Sequence, residues 1–310
     1  MVAKEDIMKI CVCDPLPDNA VQMMKDNGFE VDVKTGMPPE EVIKAVKDYD
    51  ALIVRSATKV TKEVIDAGDK LKLVVRGGVG VDNIDTAAAE AKGVTVKNTP
   101  GASTVSVAEH AMALMLSLMR QIPMADKSMK EGKWEKKAFK GTELYKKTLG
   151  LIGSGRIGIA TAKRAQGFEM NVLAYDPYAD ENTLKQAGIR LVTKLDELLA
   201  QSDVISLHIP KTKETAHIIN KKNIDKMKDG AILINAARGG TVDEKAVYDA
   251  LKSGKLKGAA LDVFEKEPLE NSPLYELDNV ILTPHLGATT KEGQARVGTE
   301  AAQTIIDFFK

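Results

Sequence analysis

Leu149-Gly-Leu-Ile-Gly153-Ser-Gly155-Arg156-Ile157-Gly158 sets the reading of the whole chain. An apolar, strand-like run ends at Ile152, and the pattern G-x-G-x-x-G leads straight into Ile159–Ala165, whose spacing is helical. A glycine pattern that leaves a strand and enters a helix has a physical purpose. Gly153 permits the tight turn, Gly155 lets a pyrophosphate approach the backbone, and Gly158 lets helix and strand pack closely. The helix end then turns its unpaired N–H groups toward the phosphates. The following strand, NVLAYDP, ends in Asp176, where a carboxylate accepts both ribose hydroxyls of an adenosine. A 2′-phosphate would meet like charge there, and Pro177 and Tyr178 rather than an arginine come next, so NAD is expected over NADP.

Outward from this unit, short runs rich in Val, Ile and Leu alternate with longer amphipathic stretches, the pattern of parallel strands joined by crossover helices. Before the glycine loop the strand-like runs lie near Ile10–Cys13, Val31–Val33, Ala51–Val54, Leu73–Val75 and Val94–Val96. A second series starts at Leu149–Ile152 and continues with Val172–Tyr175, Val204–Leu207, Ile232–Ile234, Ala259–Leu261 and Val280–Leu282. Two series predict two sheets, hence an α/β protein of two domains. Between them, Asn98-Thr-Pro-Gly101 reads as a turn, and Ser106-Val-Ala-Glu109 has capping-box spacing ahead of the apolar helix AMALMLSLM. That helix needs burial on nearly all sides, either within the chain or against a second subunit.

Composition narrows the class. The 310 residues predict about two domains, and 44 Lys+Arg balance 44 Asp+Glu, which gives no global pull toward nucleic acid or membrane. The apolar stretch from Ala111 to Met119 is too short to span a bilayer, and the start MVAKEDIMK lacks a secretory core, so a cytoplasmic protein is expected. Cys11 and Cys13 leave a strand on one face without a metal spacing; they read as buried, reduced thiols, and no metal is expected. The eight lysines between Lys127 and Lys147 are interspersed with glutamates and read as a solvated surface.

Ligands of open parallel sheets bind beyond the carboxyl ends of the strands. In the second series those ends are polar: His208 and Pro210 after VISL, Arg238 after AILINAA, Asp262 after GAAL, His285 after VILTP. In the first series Arg55 follows ALIV, and Arg76-Gly-Gly78-Val79-Gly80 forms a second glycine-rich loop able to hold an anion. Hydride transfer to a carbonyl needs a proton donor and a cation that holds the substrate. His285 fits the donor best, with His208 a cofactor-side alternative; His110, in the apolar helix, and His217, in a polar loop, read as structural. Glu267 is the carboxylate to pair with His285, and its neighbour Glu265 remains open. Arg238 offers a planar fork for a carboxylate.

The ordered motifs Gly153-Ser-Gly-Arg-Ile-Gly158, Leu207-His-Ile-Pro210, Ile234-Asn-Ala-Ala-Arg-Gly239, Asp262-Val-Phe-Glu-Lys-Glu-Pro268 and Pro284-His-Leu-Gly287 resemble the D-isomer-specific 2-hydroxyacid dehydrogenase family over nearly the whole chain. The resemblance implies two doubly wound domains: a Rossmann cofactor domain, residues 99–286, inserted into a flavodoxin-like substrate domain, residues 1–98 and 287–310. It implies catalysis by Arg238, Glu267 and His285. Cofactor contacts are expected at Gly153, Gly155, Arg156, Ile157, Gly158, Asp176, His208, Pro210, Ala236, Arg238, Asp262 and His285, with Asp262 on the nicotinamide carboxamide. Substrate contacts are expected at Arg55, Gly78, Val79, Arg238 and His285. A homodimer through the cofactor domain and closure of the domains over the substrate are also implied.

Within the family, VRSATKV, RGGVGVDNID, NTPGASTVSVAEH and GKWEKKAFKGTEL most resemble the branch acting on D-3-phosphoglycerate. NAD-dependent oxidation of that phosphorylated 2-hydroxy acid, the entry step of serine synthesis, is therefore expected. Arg55 is the first cation for the phosphate, with Lys136 or Lys137 from across a dimer. Gly77 stands where alanine is commoner, and Thr104 where asparagine is common. The chain stops at Lys310, where the catalytic unit of this branch ends, so feedback through a carboxy-terminal regulatory domain is not expected. A hydroxypyruvate or glyoxylate reductase shares every catalytic residue, and an NAD-sensing interaction protein shares the fold.

Overall fold

The computed structural model describes residues 7–310; the opening MVAKED, most of the stretch read for a secretory core, lies outside them. Two compact units divide the chain, one running to Ser103 and resumed by Thr289–Lys310, the other Thr104–Ala288.

The first unit holds β1 (Lys9–Val12), β2 (Glu30–Val33), β3 (Ala51–Val54), β4 (Leu73–Arg76) and β5 (Thr95–Asn98), all parallel in the order β2-β1-β3-β4-β5. The inner strands β1, β3 and β4 are apolar at successive positions because both faces are covered. Cys11, Cys13, Leu52, Val54 and Val74 enter one core. Ile10, Val12, Ile53, Leu73 and Val75 enter the other, against Ala301, Ala302, Ile305 and Ile306 of the helix Lys291–Phe309. That helix starts at Thr290, whose side chain accepts the Gly293 amide at 2.9 Å. The two thiols stand 3.7 Å apart in the core, unoxidised. The order reverses between β1 and β3, the switch point of a flavodoxin-like sheet.

The second unit holds β6 (Thr148–Ile152), β7 (Asn171–Tyr175), β8 (Arg190–Leu191), β9 (Val204–Leu207), β10 (Ala231–Asn235), β11 (Leu256–Leu261) and β12 (Val280–Leu282). These parallel strands run β12-β11-β10-β9-β6-β7-β8, a doubly wound Rossmann order with its switch point between β6 and β9. The edge strand β8 adds to the six runs read from sequence, since two residues carry no periodicity.

The apolar helix spans Thr104–Met119 and buries Ala111, Met112, Leu114, Met115, Leu118 and Met119 within this unit. Its start corrects the capping-box reading. Ser106 lies inside the helix, and Glu109, instead of folding back on the terminus, pairs with Arg164 at 3.0 Å. Among the described residues no helix is long and apolar enough to cross a membrane, and no cluster of metal-ligating side chains occurs.

Candidate active site

At the switch point of the second unit, Gly153 turns the chain with φ of 93°, and a side chain there would strike the carbonyl of His208 on the neighbouring strand end. A Cβ on Gly158 would lie 2.5 Å from the Gly153 oxygen, so this glycine is required by the strand-to-helix packing. Gly155 differs. A Cβ there would meet nothing within 4 Å, so no contact inside the protein demands its absence. It caps the twelve-residue helix Arg156–Gly167, and the room left over it suits a phosphate approaching the helix amino terminus.

Asp176 follows β7 and is held in place. Its Oδ2 accepts both the Ser154 amide (2.8 Å) and the Ser154 hydroxyl (2.9 Å), and Oδ1 accepts the Tyr178 amide at 3.0 Å. A carboxylate has about four acceptor sites, so this leaves capacity for a ribose hydroxyl. After β9, His208 Nε2 lies 3.0 Å from Ser206 Oγ, while its buried Nδ1 has no partner among the described residues. Burial lowers the pKa of this imidazole to about 4, so the ring is neutral at physiological pH. The orphaned Nδ1, the open Gly155 and the helix amino terminus fit a dinucleotide laid across this edge, with Ile157 in the first turn of that helix and Pro210 on the loop after β9.

Beyond β10, the turn that carries Ala236 and Arg238 is built from its own side chains. Asn235 Nδ2 and Thr241 Oγ1 donate to the Arg238 carbonyl at 3.2 and 2.7 Å. The Arg238 guanidinium donates to the Ala237 carbonyl at 2.7 Å.

The ends of β11 and β12 bring titratable side chains together. Glu267 Oε2 sits 2.8 Å from His285 Nδ1, and Glu267 Oε1 accepts the Phe264 amide at 3.0 Å. Glu265, the alternative left open by the sequence, turns elsewhere: it pairs with His217 at 3.2 Å, its carboxylate accepts the Glu244 amide, and its own amide donates to the Glu244 carboxylate. His285 occupies the left-handed region with φ of 54°, a conformation that costs a non-glycine residue free energy and that the surroundings must impose. Asp262 imposes it. Its carbonyl accepts the His285 amide at 2.9 Å, and its carboxylate accepts the Leu286 and Gly287 amides at 2.7 and 2.8 Å.

Only 1% exposed, the Asp262 carboxyl is pushed up by burial, but donors outweigh this and hold it below the usual carboxylate range. Those donors are His110, Thr283 and the two loop amides. Asp262 thus reads as the anchor of the His285 loop, a role its expected carboxamide contact does not describe. His110 and Thr283 were not singled out as site residues by sequence. His110 lies 152 positions from Asp262, with no local pattern to join them.

In the first unit, Asp14 lies two residues past β1 and accepts the Arg55 amide at 2.5 Å and the Thr58 amide and hydroxyl at 3.2 and 2.8 Å. Arg55 donates to Pro15 at 3.4 Å, and its buried Nε has no partner among the described residues. A Cβ on Gly77 would approach Val297 at 3.0 Å and Arg55 at 3.2 Å, which accounts for glycine at this position. Gly78, with φ of 145°, adopts a backbone that other residues avoid, and Asn98 donates to the Val79 carbonyl of the same loop.

Residues 112–287 match the family described as D-isomer specific 2-hydroxyacid dehydrogenase, NAD binding domain. Over 304 residues the chain is 54% identical to a D-3-phosphoglycerate dehydrogenase of Archaeoglobus fulgidus, covering 98% of this chain and 58% of that protein. The chain therefore spans little more than half the length of that relative. Over 301 residues it is 51% identical to a hydroxypyruvate reductase of Thermotoga maritima, covering 96% of this chain and 97% of that one. The structure of D-lactate dehydrogenase from Aquifex aeolicus, complexed with NAD and lactic acid, matches with a TM-score of 0.84 at 34% identity, covering 97% of this chain and 95% of that one.

Proposed function

The chain belongs to the D-isomer specific 2-hydroxyacid dehydrogenase family, and from that membership we propose that it is a cytoplasmic enzyme oxidising D-3-phosphoglycerate to 3-phosphohydroxypyruvate with NAD, the entry step of serine synthesis. The observation that carries the reading is the 2.8 Å contact of Glu267 with His285 Nδ1, which leaves Nε2 without a protein partner among the described residues. An acid–base histidine needs that arrangement, one nitrogen oriented and the other presented.

In the oxidative direction, neutral His285 takes the C2 hydroxyl proton on Nε2 while Glu267 stabilises the imidazolium through Nδ1. Arg238 holds the substrate carboxylate by charge-assisted bonds and resists its drift as the proton leaves. When bound, the nicotinamide ring supplies the hydride acceptor. Gly153, Gly155 and the amino end of Arg156–Gly167 hold the pyrophosphate, and Asp176 takes the adenosine ribose. In the reductive direction His285 returns the proton.

Arg55, with its unpartnered buried Nε, is assigned to the substrate phosphate, and the Gly78–Val79 loop to the substrate carboxylate. A second copy of the chain is expected on the surface bearing Ile122, Met129 and Trp134, exposed to 52%, 53% and 81%. Sedimentation velocity at micromolar concentration measures this; a dimer is the expected species.

A second reading, reduction of unphosphorylated hydroxypyruvate, is favoured by one finding: a relative matched over nearly its full length is a hydroxypyruvate reductase. NADH consumption with 3-phosphohydroxypyruvate beside hydroxypyruvate, glyoxylate and pyruvate separates the two. Preference for the phosphorylated acid, lost in Arg55→Ala while hydroxypyruvate reduction persists, supports the first reading. Equal or faster turnover without the phosphate supports the second.

A further inference from the structure

We propose that His110 is a positioning residue for the acid–base loop, acting through Asp262 on His285; this rests on the acid–base reading of His285 given above. His110 Nε2 lies 3.2 Å from both Asp262 Oδ1 and Thr283 Oγ1, and Thr283 Oγ1 lies 2.6 Å from the same carboxylate oxygen. The proton inventory fixes the direction of these bonds. Ionised Asp262 only accepts, and Thr283 gives its single proton to Asp262, so His110 Nε2 must carry a hydrogen and donate.

The Asp262 carboxylate is therefore matched by the Thr283 hydroxyl, the Leu286 and Gly287 amides, and His110. Three of these donors belong to the loop that bears His285. Among the described residues, His110 is the donor brought from outside it, on the helix Thr104–Met119. The Asp262 backbone is fixed at the end of β11, where its amide donates to the Asn235 carbonyl at 2.9 Å, but its carboxylate is otherwise held only by the loop it anchors; the bond from His110 fixes that carboxylate against a buried helix.

The consequence falls on His285. Its left-handed backbone is imposed by Asp262, through the carbonyl that accepts the His285 amide and the carboxylate that accepts the next two amides. Loosening Asp262 releases that turn and moves Nε2 away from the substrate hydroxyl, although no group touching substrate or cofactor has changed. A displacement of about 1 Å at a reacting group costs on the order of 10²-fold in rate.

The test compares His110→Phe, which keeps the ring but removes the donor, with His110→Gln, which restores an N–H. Two readouts are taken: steady-state kinetics with NADH and 3-phosphohydroxypyruvate or hydroxypyruvate, and the imidazole NMR signal of His285 in protein without substrate. His110→Phe is expected to lower kcat by roughly 10–100-fold with the KM for NADH unchanged, and to shift or broaden the His285 signal. His110→Gln is expected to recover most of both. Wild-type kcat and an unmoved His285 signal in His110→Phe would overturn the proposal. So would a loss of turnover that glutamine does not rescue while the His285 signal stays in place, since that marks a role in stability alone. If the unaltered protein turns over none of these acids, the acid–base reading fails, and the NMR comparison still decides whether His110 positions His285.

Discussion

Glu267 reaches His285 from the loop after β11, at 2.8 Å from Nδ1, and uses its second oxygen to hold the Phe264 amide. One carboxylate thus fixes both its own loop and the histidine ring. Hydrogen bonds to charged groups contribute about 1.5–3 kcal/mol, and in the proposed reaction the imidazolium forms only during turnover. Glu267→Gln should accordingly lower kcat about 10–100-fold with NADH affinity unchanged. Steady-state kinetics beside a fluorescence titration of NADH separates the two terms; an equal loss in both would point to a collapsed loop instead.

The glycine loop makes two opposite predictions. Gly158→Ala puts a methyl 2.5 Å from the Gly153 oxygen and should destabilise the second unit, by about 1–3 kcal/mol as overpacking does. Gly155→Ala meets no protein atom within 4 Å and should keep the melting temperature while weakening NADH binding. Thermal unfolding and a binding titration on both variants check this. Gly155→Ala with normal affinity would remove the pyrophosphate from that loop.

Asp176, pinned by Ser154, is the group that a 2′-phosphate would confront. Like charges brought together cost several kcal/mol. Asp176→Asn should therefore narrow the preference for NADH over NADPH by at least about 10-fold, measured as the ratio of dissociation constants. A ratio that does not move would show that discrimination lies elsewhere.

His208 is expected to make stability depend on pH. Burial depresses its pKa from 6.5 to about 4, so between these values the unfolded chain takes up a proton that the folded one refuses. Stability is full above the upper value and falls as pH drops through the window, by about 3 kcal/mol in all from this residue. Melting temperature against pH should decline over that range in the native protein and decline less in His208→Asn. Parallel curves would place the acid sensitivity in other groups.

Much of the fold was legible because its strands are buried on both faces. Runs such as Ala51–Val54 and Val204–Leu207 are apolar at every position but one, and the glycine pattern sits between a strand and a helix. What escaped did so for physical reasons. Arg190–Leu191 pairs with β7 over two residues, too short for any period. Ser106 and Glu109 have the spacing of a cap, but that spacing also occurs inside a helix, and Arg164 offered the glutamate a better partner. Glu265 and Glu267 stand two apart, and only the fold turns one toward His217 and the other toward His285. The ties of His110 to Asp262 and of Asp14 to Arg55 join residues remote in sequence, which no local pattern encodes.

The role proposed for His285 is to move the proton in an NAD-dependent oxidoreduction. It is tested most directly by single-turnover reduction of 3-phosphohydroxypyruvate by NADH bound to the native protein and to His285→Ala. NADH binding is expected to be unchanged and the rate lower by roughly 10²–10⁴-fold in the variant. A His285→Ala protein that binds NADH normally and keeps the native rate would contradict it.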